Sequence, residues 1–316
     1  MIIKFLDSHT MSLNGDVDFS PLEKLGDYFG YNITNDDIAG FGQDAEILIT
    51  NKIKIDNNIM DNLPRLKLIC VIATGYNVVD NKAARERNII VVNVPQYAKY
   101  SVSQHTFALI LSLTSNICSY HRDVREGKWE KSSSFTLLEY PTIELVNKTM
   151  GIIGFGTIGR ETAKIAKVFN MDVLAYDISD ISAYGYINST LDEILKKSDI
   201  ISIHIPLTSE TENLITEKEL GKMKNTALII NTSRGGIINE VDLVEALNSG
   251  VIHGAGLDVL KEEPPNSGNP LLGDVKNLIL TPHVAWSSKE ARQRLIDITV
   301  ENIKSFRVGN PINVVN

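Results

Sequence analysis

Met150-Gly151-Ile152-Ile153-Gly154-Phe155-Gly156-Thr157-Ile158-Gly159-Arg160 reads as a short apolar strand that runs into a glycine-rich turn and then a helix. Gly154 permits the tight turn out of the strand, Gly156 lets a pyrophosphate approach bare backbone, and Gly159 allows the helix to pack closely on the sheet. The helix predicted from Thr157 to Phe169 aims its unpaired amides, those of Thr157 and Ile158 among them, and its positive dipole end at the phosphates. A second apolar strand, Asp172 to Tyr176, ends at Asp177. That spacing suits the acid that accepts hydrogen bonds from an adenosine ribose and repels a 2'-phosphate. A glycine turn alone fits a ligand-free bend equally well. With strand, helix and terminal acid in register, a dinucleotide is favoured, and NAD over NADP. Such a fingerprint normally opens its own domain, so its position near the middle of the chain implies a separate preceding unit for the other reactant.

The 316 residues suffice for two domains with cores of their own. A formal net charge of -8, a pI of about 5.3 and the lack of a basic cluster argue against nucleic acid as a partner. Met1 to Thr10 lacks the pattern of a secretory signal, and no apolar run reaches the length of a membrane span. Cys70 and Cys118 lie in apolar segments without metal-type neighbours. They read as reduced core residues of a cytoplasmic protein, and no metal site is expected.

Short apolar runs alternate with amphipathic stretches over the first hundred residues, the pattern of a parallel sheet flanked by helices. The expected strands are Ile2 to Leu6, Glu46 to Thr50, Leu68 to Ala73 and Ile89 to Asn93. Ser20-Pro21-Leu22-Glu23 carries an N-cap serine, a first-turn proline and a capping-box glutamate, and a further helix is expected from Asp80 to Arg87. After Asn93-Val94-Pro95 one long helix is predicted from about Tyr100 to Glu126, suited to bridging two domains or building a dimer contact. Beyond the glycine turn the later strands should be Ile200 to Ile205, Ala227 to Asn231, Gly254 to Val259 and Asn277 to Leu280. A final helix from about Ser288 to Arg307 should return to the first domain. The predicted division is residues 1–98 plus 288–316 as a substrate-binding domain and 99–287 as the nucleotide-binding domain, with two crossings suited to a hinge.

Arg234, Glu263 and His283 fall at or just beyond successive strand ends of the second unit, where ligands bind in open α/β sheets. The trio suits reduction of a 2-oxo acid. Arginine offers a planar fork of donors to a carboxylate and to an oxygen that becomes negative, histidine hands over a proton near neutral pH, and a carboxylate beside it fixes the ring. Each also fits a plainer role: Arg234 on cofactor phosphates, Glu263 as a solvated acid beside Glu262, His283 satisfied by backbone. Of the other histidines, His9 and His121 belong to surface segments, His105 to packing in the long helix, and His253 to the wrong end of its strand. His204 is the closer rival. In Ile203-His204-Ile205-Pro206 it leaves a strand beside the cofactor, where His204 and Pro206 would make binding contacts.

The chain resembles the D-isomer-specific 2-hydroxyacid dehydrogenases over essentially its whole length. Four blocks carry the resemblance: Gly151 to Arg160; Asn231-Thr232-Ser233-Arg234-Gly235-Gly236; Gly256-Leu257-Asp258-Val259 with Glu262-Glu263-Pro264; and Thr281-Pro282-His283. It implies that Arg234, Glu263 and His283 are catalytic, that Thr232 and Ser233 lie at the cofactor, and that Asp258 contacts the nicotinamide carboxamide. The implied fold is α/β with two doubly wound parallel-sheet domains, a flavodoxin-like substrate domain and a Rossmann NAD-binding domain, with a cleft between them. Thr74, Gly75 and Tyr76 match the family loop whose amides hold the substrate carboxylate, and Lys52 matches a position where relatives place a cation, although an ordinary surface lysine fits as well. Asn93 to Ala98, Ser101 to Thr106 and Ala285-Trp286 are similar to the glycerate dehydrogenase, or hydroxypyruvate reductase, branch and put a phosphorylated substrate in doubt; Tyr76 and Trp286 would shape the pocket. The expected activity is NAD-dependent interconversion of a small 2-oxo acid and its D-2-hydroxy acid, foremost hydroxypyruvate and D-glycerate, by a homodimer without membrane or nucleic-acid partners. Glyoxylate, a branched or aromatic 2-oxo acid and, less suitably, formate are the alternatives within the family. A non-catalytic NADH-sensing protein like the corepressor relatives is the alternative outside enzymology.

Overall fold

The strand that opens the fingerprint lies inside a parallel sheet, and a second parallel sheet precedes it in the chain. A computed structural model describes residues 1–33 and 38–316. The chain divides into two units, one made of Met1–Ala98 with Ser287–Asn316 and the other of Lys99–Trp286.

The first unit holds β1 (Ile2–Phe5), β2 (Asp27–Gly30), β3 (Ile47–Thr50), β4 (Leu68–Val71) and β5 (Ile90–Val92). They pair in parallel in the order β2-β1-β3-β4-β5, a flavodoxin-like arrangement. β3 and β4 are buried at every residue, which is why they read as unbroken apolar runs rather than alternating ones. Met60, Leu63, Ala83 and Ala84 cover one side of this sheet. The helix Lys289–Arg307 belongs to the same unit and buries Leu295, Ile296, Val300 and Ile303. Ser288 caps it by accepting from the Ala291 amide at 3.2 Å. Arg292, on this helix, is buried because its donors are used: Asp16 accepts two of them at 2.8 and 2.6 Å, and the Met11 and Ser287 carbonyls accept others. The hydrogen bonds from Arg292 hold the Asp16 carboxyl well below the usual carboxylate range.

The second unit holds β6 (Thr149–Ile153), β7 (Asp172–Tyr176), β8 (Ile200–Ile203), β9 (Leu228–Asn231), β10 (Gly254–Leu257) and β11 (Leu278–Leu280). All pair in parallel, in the order β11-β10-β9-β8-β6-β7. The chain leaves β6 toward β7 and returns to β8 on its other side, so the winding reverses between β6 and β8, the place where such sheets bind ligands. The helix Lys99–Ser115 lies close on this sheet. A Cβ added to Gly256 of β10 would stand 3.0 Å from the Leu109 Cβ, so Gly256 sets how near that helix comes.

Four expectations need correction. β2 has no counterpart among the expected strands; Asp27–Gly30 is largely exposed and lies at a sheet edge, so it lacks the apolar run of its neighbours. Ser20 is not an N-cap: the cap is Phe19, and Asp18 accepts from the Ser20 amide instead. The single long helix is two, Lys99–Ser115 and Ile117–Arg125, because Asn116 takes a left-handed φ of 51° and donates its side-chain amide to the Pro141 carbonyl. Cys70 is buried, which pushes its thiol pKa up, but Cys118 is exposed and is no core residue.

Candidate active site

At the reversal point the three glycines meet three different surroundings. Gly154 has φ 94°, and a Cβ there would lie 2.7 Å from the carbonyl carbon of His204, so neither conformation nor space admits a side chain. A Cβ on Gly159 would collide with the carbonyl oxygen of Gly154, which fixes how closely the helix Thr157–Val168 sits on β6. Gly156 differs: a Cβ there meets nothing within 4 Å. Two glycines therefore serve the packing, and the third leaves exposed backbone open at the helix start, as a pyrophosphate requires. Asp177 braces the turn. Its Oδ2 accepts from the Phe155 amide at 2.6 Å and its Oδ1 from the Ser179 amide at 2.9 Å, and each oxygen keeps a further lone pair for a ribose hydroxyl. These residues fit a dinucleotide.

His204 leaves β8 beside this turn and shares a 2.9 Å hydrogen bond between its Nε2 and Ser202 Oγ. The residue keeps part of its surface, yet its imidazole is desolvated, which pushes its pKa down to about 3. Its partner is a hydroxyl rather than a carboxylate, and burial favours the neutral ring, an arrangement that suits a binding contact better than an acid. Pro206 is exposed, and its carbonyl accepts from Thr211.

The other candidate groups gather along the C-terminal edge of three adjacent strands, β9, β10 and β11. Asn231, the buried last residue of β9, builds the turn that presents Arg234: its Oδ1 accepts from the amide and hydroxyl of Ser233, and its Nδ2 donates to the Arg234 carbonyl at 2.8 Å. Thr232 is buried against Thr106, 3.1 Å between hydroxyls. Arg234 is exposed and donates to the Ser233 carbonyl at 2.7 Å. A Cβ on the next residue, Gly235, would overlap the Leu260 carbonyl, so the Arg234 turn rests directly on the loop after β10. In that loop the Leu260 amide donates to Glu263 Oε1 at 3.0 Å, and Glu263 Oε2 lies 2.5 Å from His283 Nδ1. Glu263 and His283 are thus brought together, although twenty residues separate them in sequence.

His283 sits in the left-handed region, φ 54°, which a non-glycine residue holds only where its surroundings enforce it. Asp258 does much of the enforcing. Its carbonyl accepts from the His283 amide at 2.8 Å. Its carboxylate, 1% exposed, accepts from the Thr281 hydroxyl and from the Val284 and Ala285 amides at 2.5, 2.9 and 2.8 Å. Asp258 therefore organises the histidine loop with the side chain expected to meet the nicotinamide. Trp286, half-buried, follows at once.

In the first unit Lys52 stands exposed after β3, in a loop fixed by Asp7. The Asp7 carboxylate is buried and accepts the Asn51 and Lys52 amides, each at 2.8 Å. Thr74, Gly75 and Tyr76 follow β4 in a turn held by Thr74 Oγ1 to the Val94 carbonyl at 3.0 Å and by Asn93 Nδ2 to the Thr74 carbonyl at 2.7 Å. Tyr76 is 40% exposed. The sequence blocks contain Asn231 and Thr281 but assign them no role, Asp7 carries no sequence signal, and His105, expected to pack, stands with its Nε2 2.9 Å from Thr281 Oγ1. Only Asn231, one residue past an apolar run and three before an arginine, carried a local sign of its part.

A doubly wound sheet with a phosphate-type glycine turn at its reversal and a histidine–carboxylate pair at its far strand ends defines a nucleotide-dependent dehydrogenase. The chain belongs to the D-isomer specific 2-hydroxyacid dehydrogenases: residues 107–285 match the NAD binding domain of that family. It is 43% identical over 323 residues to a hydroxypyruvate reductase of Blautia hydrogenotrophica, with all of both chains covered. It is 44% identical over 283 residues to a glycerate dehydrogenase of Methylorubrum extorquens, with 89% of each covered. Among solved structures, an acyclic imino acid reductase in complex with NADPH and D-Arg superposes with a TM-score of 0.87 at 33% identity, all of both chains covered. Among the described residues no helix is long and apolar enough to cross a membrane, and no cluster of three or more histidine, cysteine or acidic residues stands ready for a metal ion.

Proposed function

We propose that this chain is an NAD(H)-dependent dehydrogenase that interconverts hydroxypyruvate and D-glycerate. The observation that carries the reading is the 2.5 Å contact between His283 Nδ1 and Glu263 Oε2, at the end of the sheet whose reversal point carries the open Gly156 backbone. The names of the hydroxypyruvate reductase and the glycerate dehydrogenase, 43% and 44% identical to this chain, support the choice of substrate.

When bound, NADH supplies the hydride that adds to C2 of the oxo acid. His283 Nδ1–H donates a hydrogen bond to the Glu263 carboxylate, which leaves Nε2 as the nitrogen that faces the substrate. Protonated at Nε2, His283 passes that proton to the C2 oxygen as negative charge gathers there; for oxidation of the hydroxy acid it acts neutral and takes the proton back. Arg234 offers several donors in one plane, to the substrate carboxylate and to the same developing oxyanion. By the family resemblance, Lys52 and the amides around Thr74 and Gly75 would serve the substrate carboxylate, and Tyr76 and Trp286 would bear on substrate size. Thr157, Ile158, Thr232, Ser233, His204 and Pro206 line the cofactor, and Asp177 holds the adenosine ribose and disfavours a 2'-phosphate.

A homodimer in the cytoplasm completes the reading. Its support is the apolar surface on the segment after Asn116, where Trp129, Phe135 and Leu138 are 50%, 90% and 87% exposed, together with two free thiols. The test is a set of initial rates with NADH against hydroxypyruvate, glyoxylate, pyruvate, phenylpyruvate and phosphohydroxypyruvate. The highest kcat/KM should fall to hydroxypyruvate. A clear preference for the phosphorylated acid defeats the substrate assignment, and tight NADH binding without turnover of any acid defeats the enzyme.

A further inference from the structure

The segment Ser101-Val102-Ser103-Gln104-His105-Thr106 lies in the first turns of the helix Lys99–Ser115, where Val102, Ser103 and Thr106 are buried. Ser101 and His105 are one turn apart, on one face. Both reach the histidine loop. Ser101 Oγ donates to the Ala285 carbonyl at 2.6 Å, and His105 Nε2 lies 2.9 Å from Thr281 Oγ1. Their partners stand two residues after and two residues before His283.

The direction of these bonds follows from the acceptors. The Thr281 hydroxyl has one proton, and it goes to Asp258 Oδ1 at 2.5 Å, since an ionised carboxylate only accepts. Thr281 Oγ1 must therefore accept from His105, whose Nε2 carries a hydrogen. The result is a relay of donors, His105 to Thr281 to Asp258, whose last member also receives the Val284 and Ala285 amides. The loop that forces His283 into its left-handed φ is held from β10 by Asp258 and from the helix by Ser101 and His105. The same helix turn sends Thr106 to Thr232, beside the turn of Arg234.

We propose that Ser101 and His105 are positioning residues for proton transfer, which fix the backbone on both sides of His283 so that its Nδ1 meets Glu263 and its Nε2 is left to the substrate. The proposal rests on the dehydrogenase reading for its kinetic consequence alone. Displacement of a reacting group by an ångström costs about 100-fold in rate. His105→Ala should therefore lower kcat for hydroxypyruvate about 10- to 100-fold with NADH affinity within about twofold of wild type. His105→Gln, which restores a donor near the Nε2 position, should recover most of that loss. Thr281→Val should match His105→Ala, and the double variant should lose little more than either single change, because both cut one relay. Thr281→Val carries the comparison if His105→Ala does not fold. A second readout needs no turnover: the downfield proton resonance of His283 Nδ1, identified by its loss in Glu263→Gln, should broaden or vanish in Thr281→Val and persist in His105→Gln. An inactive wild type would defeat the dehydrogenase reading while the resonance still decides the positioning. Full kcat in His105→Ala, no recovery in His105→Gln, or an unchanged resonance in Thr281→Val overturns the proposal.

Discussion

Replacement of Gly156 by alanine separates cofactor binding from folding. Gly156 precedes the helix Thr157–Val168 with φ -67° and ψ -161°, a backbone conformation open to any L residue, and its added methyl meets nothing within 4 Å. Nothing in the folded chain resists the change. At a compatible site, loss of glycine even favours folding by about 0.4–1 kcal/mol, because the unfolded chain has fewer conformations to lose. The methyl instead stands where a pyrophosphate must touch the backbone. Forcing one carbon into a filled site costs about 1–3 kcal/mol, so NADH should bind about 5- to 150-fold more weakly. Gly159→Ala is the contrast, since its Cβ collides with the Gly154 carbonyl and must move the helix. Fluorescence titration of NADH beside thermal denaturation reads both effects. Gly156→Ala should keep its Tm and lose affinity, and Gly159→Ala should lose both. Wild-type affinity in Gly156→Ala refutes the cradle, and a Tm loss equal to that of Gly159→Ala refutes the steric reasoning.

Arg234→Lys keeps the charge but loses the planar fork, so kcat/KM for hydroxypyruvate should drop at least about tenfold while NADH affinity holds; an equal loss of NADH affinity would move Arg234 to the cofactor phosphates. Asp177→Ala should narrow the preference for NADH over NADPH, and a wild type that uses both cofactors equally contradicts its assigned role. The folded-state pKa of His204, depressed from 6.5 to about 3, gives a stability contribution fully present above about pH 6.5 and lost as pH falls toward 3, because the unfolded state binds the extra proton. Unfolding free energies of wild type from urea titration should therefore decline between these pH values more steeply than those of His204→Gln, by up to about 1.4 kcal/mol per pH unit; parallel declines rule out the desolvated ring.

What local sequence reveals here is what local physics decides. The fingerprint turn, the buried runs of β3, β4 and β8, and the helix starts at Asp80 and Ser288 depend on neighbours within a few residues, and they stand where the local pattern of apolar and polar residues puts them. Arg234, Glu263 and His283 were legible for a related reason, since each follows an apolar run by a few residues. Other features depend on distant partners. His105 finds Thr281 across 176 residues and Thr106 finds Thr232 across 126, so nothing near either residue distinguishes it from helix packing. The break at Asn116 likewise needs the Pro141 carbonyl, and β2 is a strand because β1 offers it an edge.

The most direct test follows the hydride and the proton together. Incubation of the enzyme with hydroxypyruvate and NADH deuterated at the transferred C4 position should give D-glycerate labelled at C2, and His283→Ala should abolish this product while still binding NADH. Unlabelled product, the L enantiomer, or labelled D-glycerate formed at the wild-type rate by His283→Ala would contradict the account.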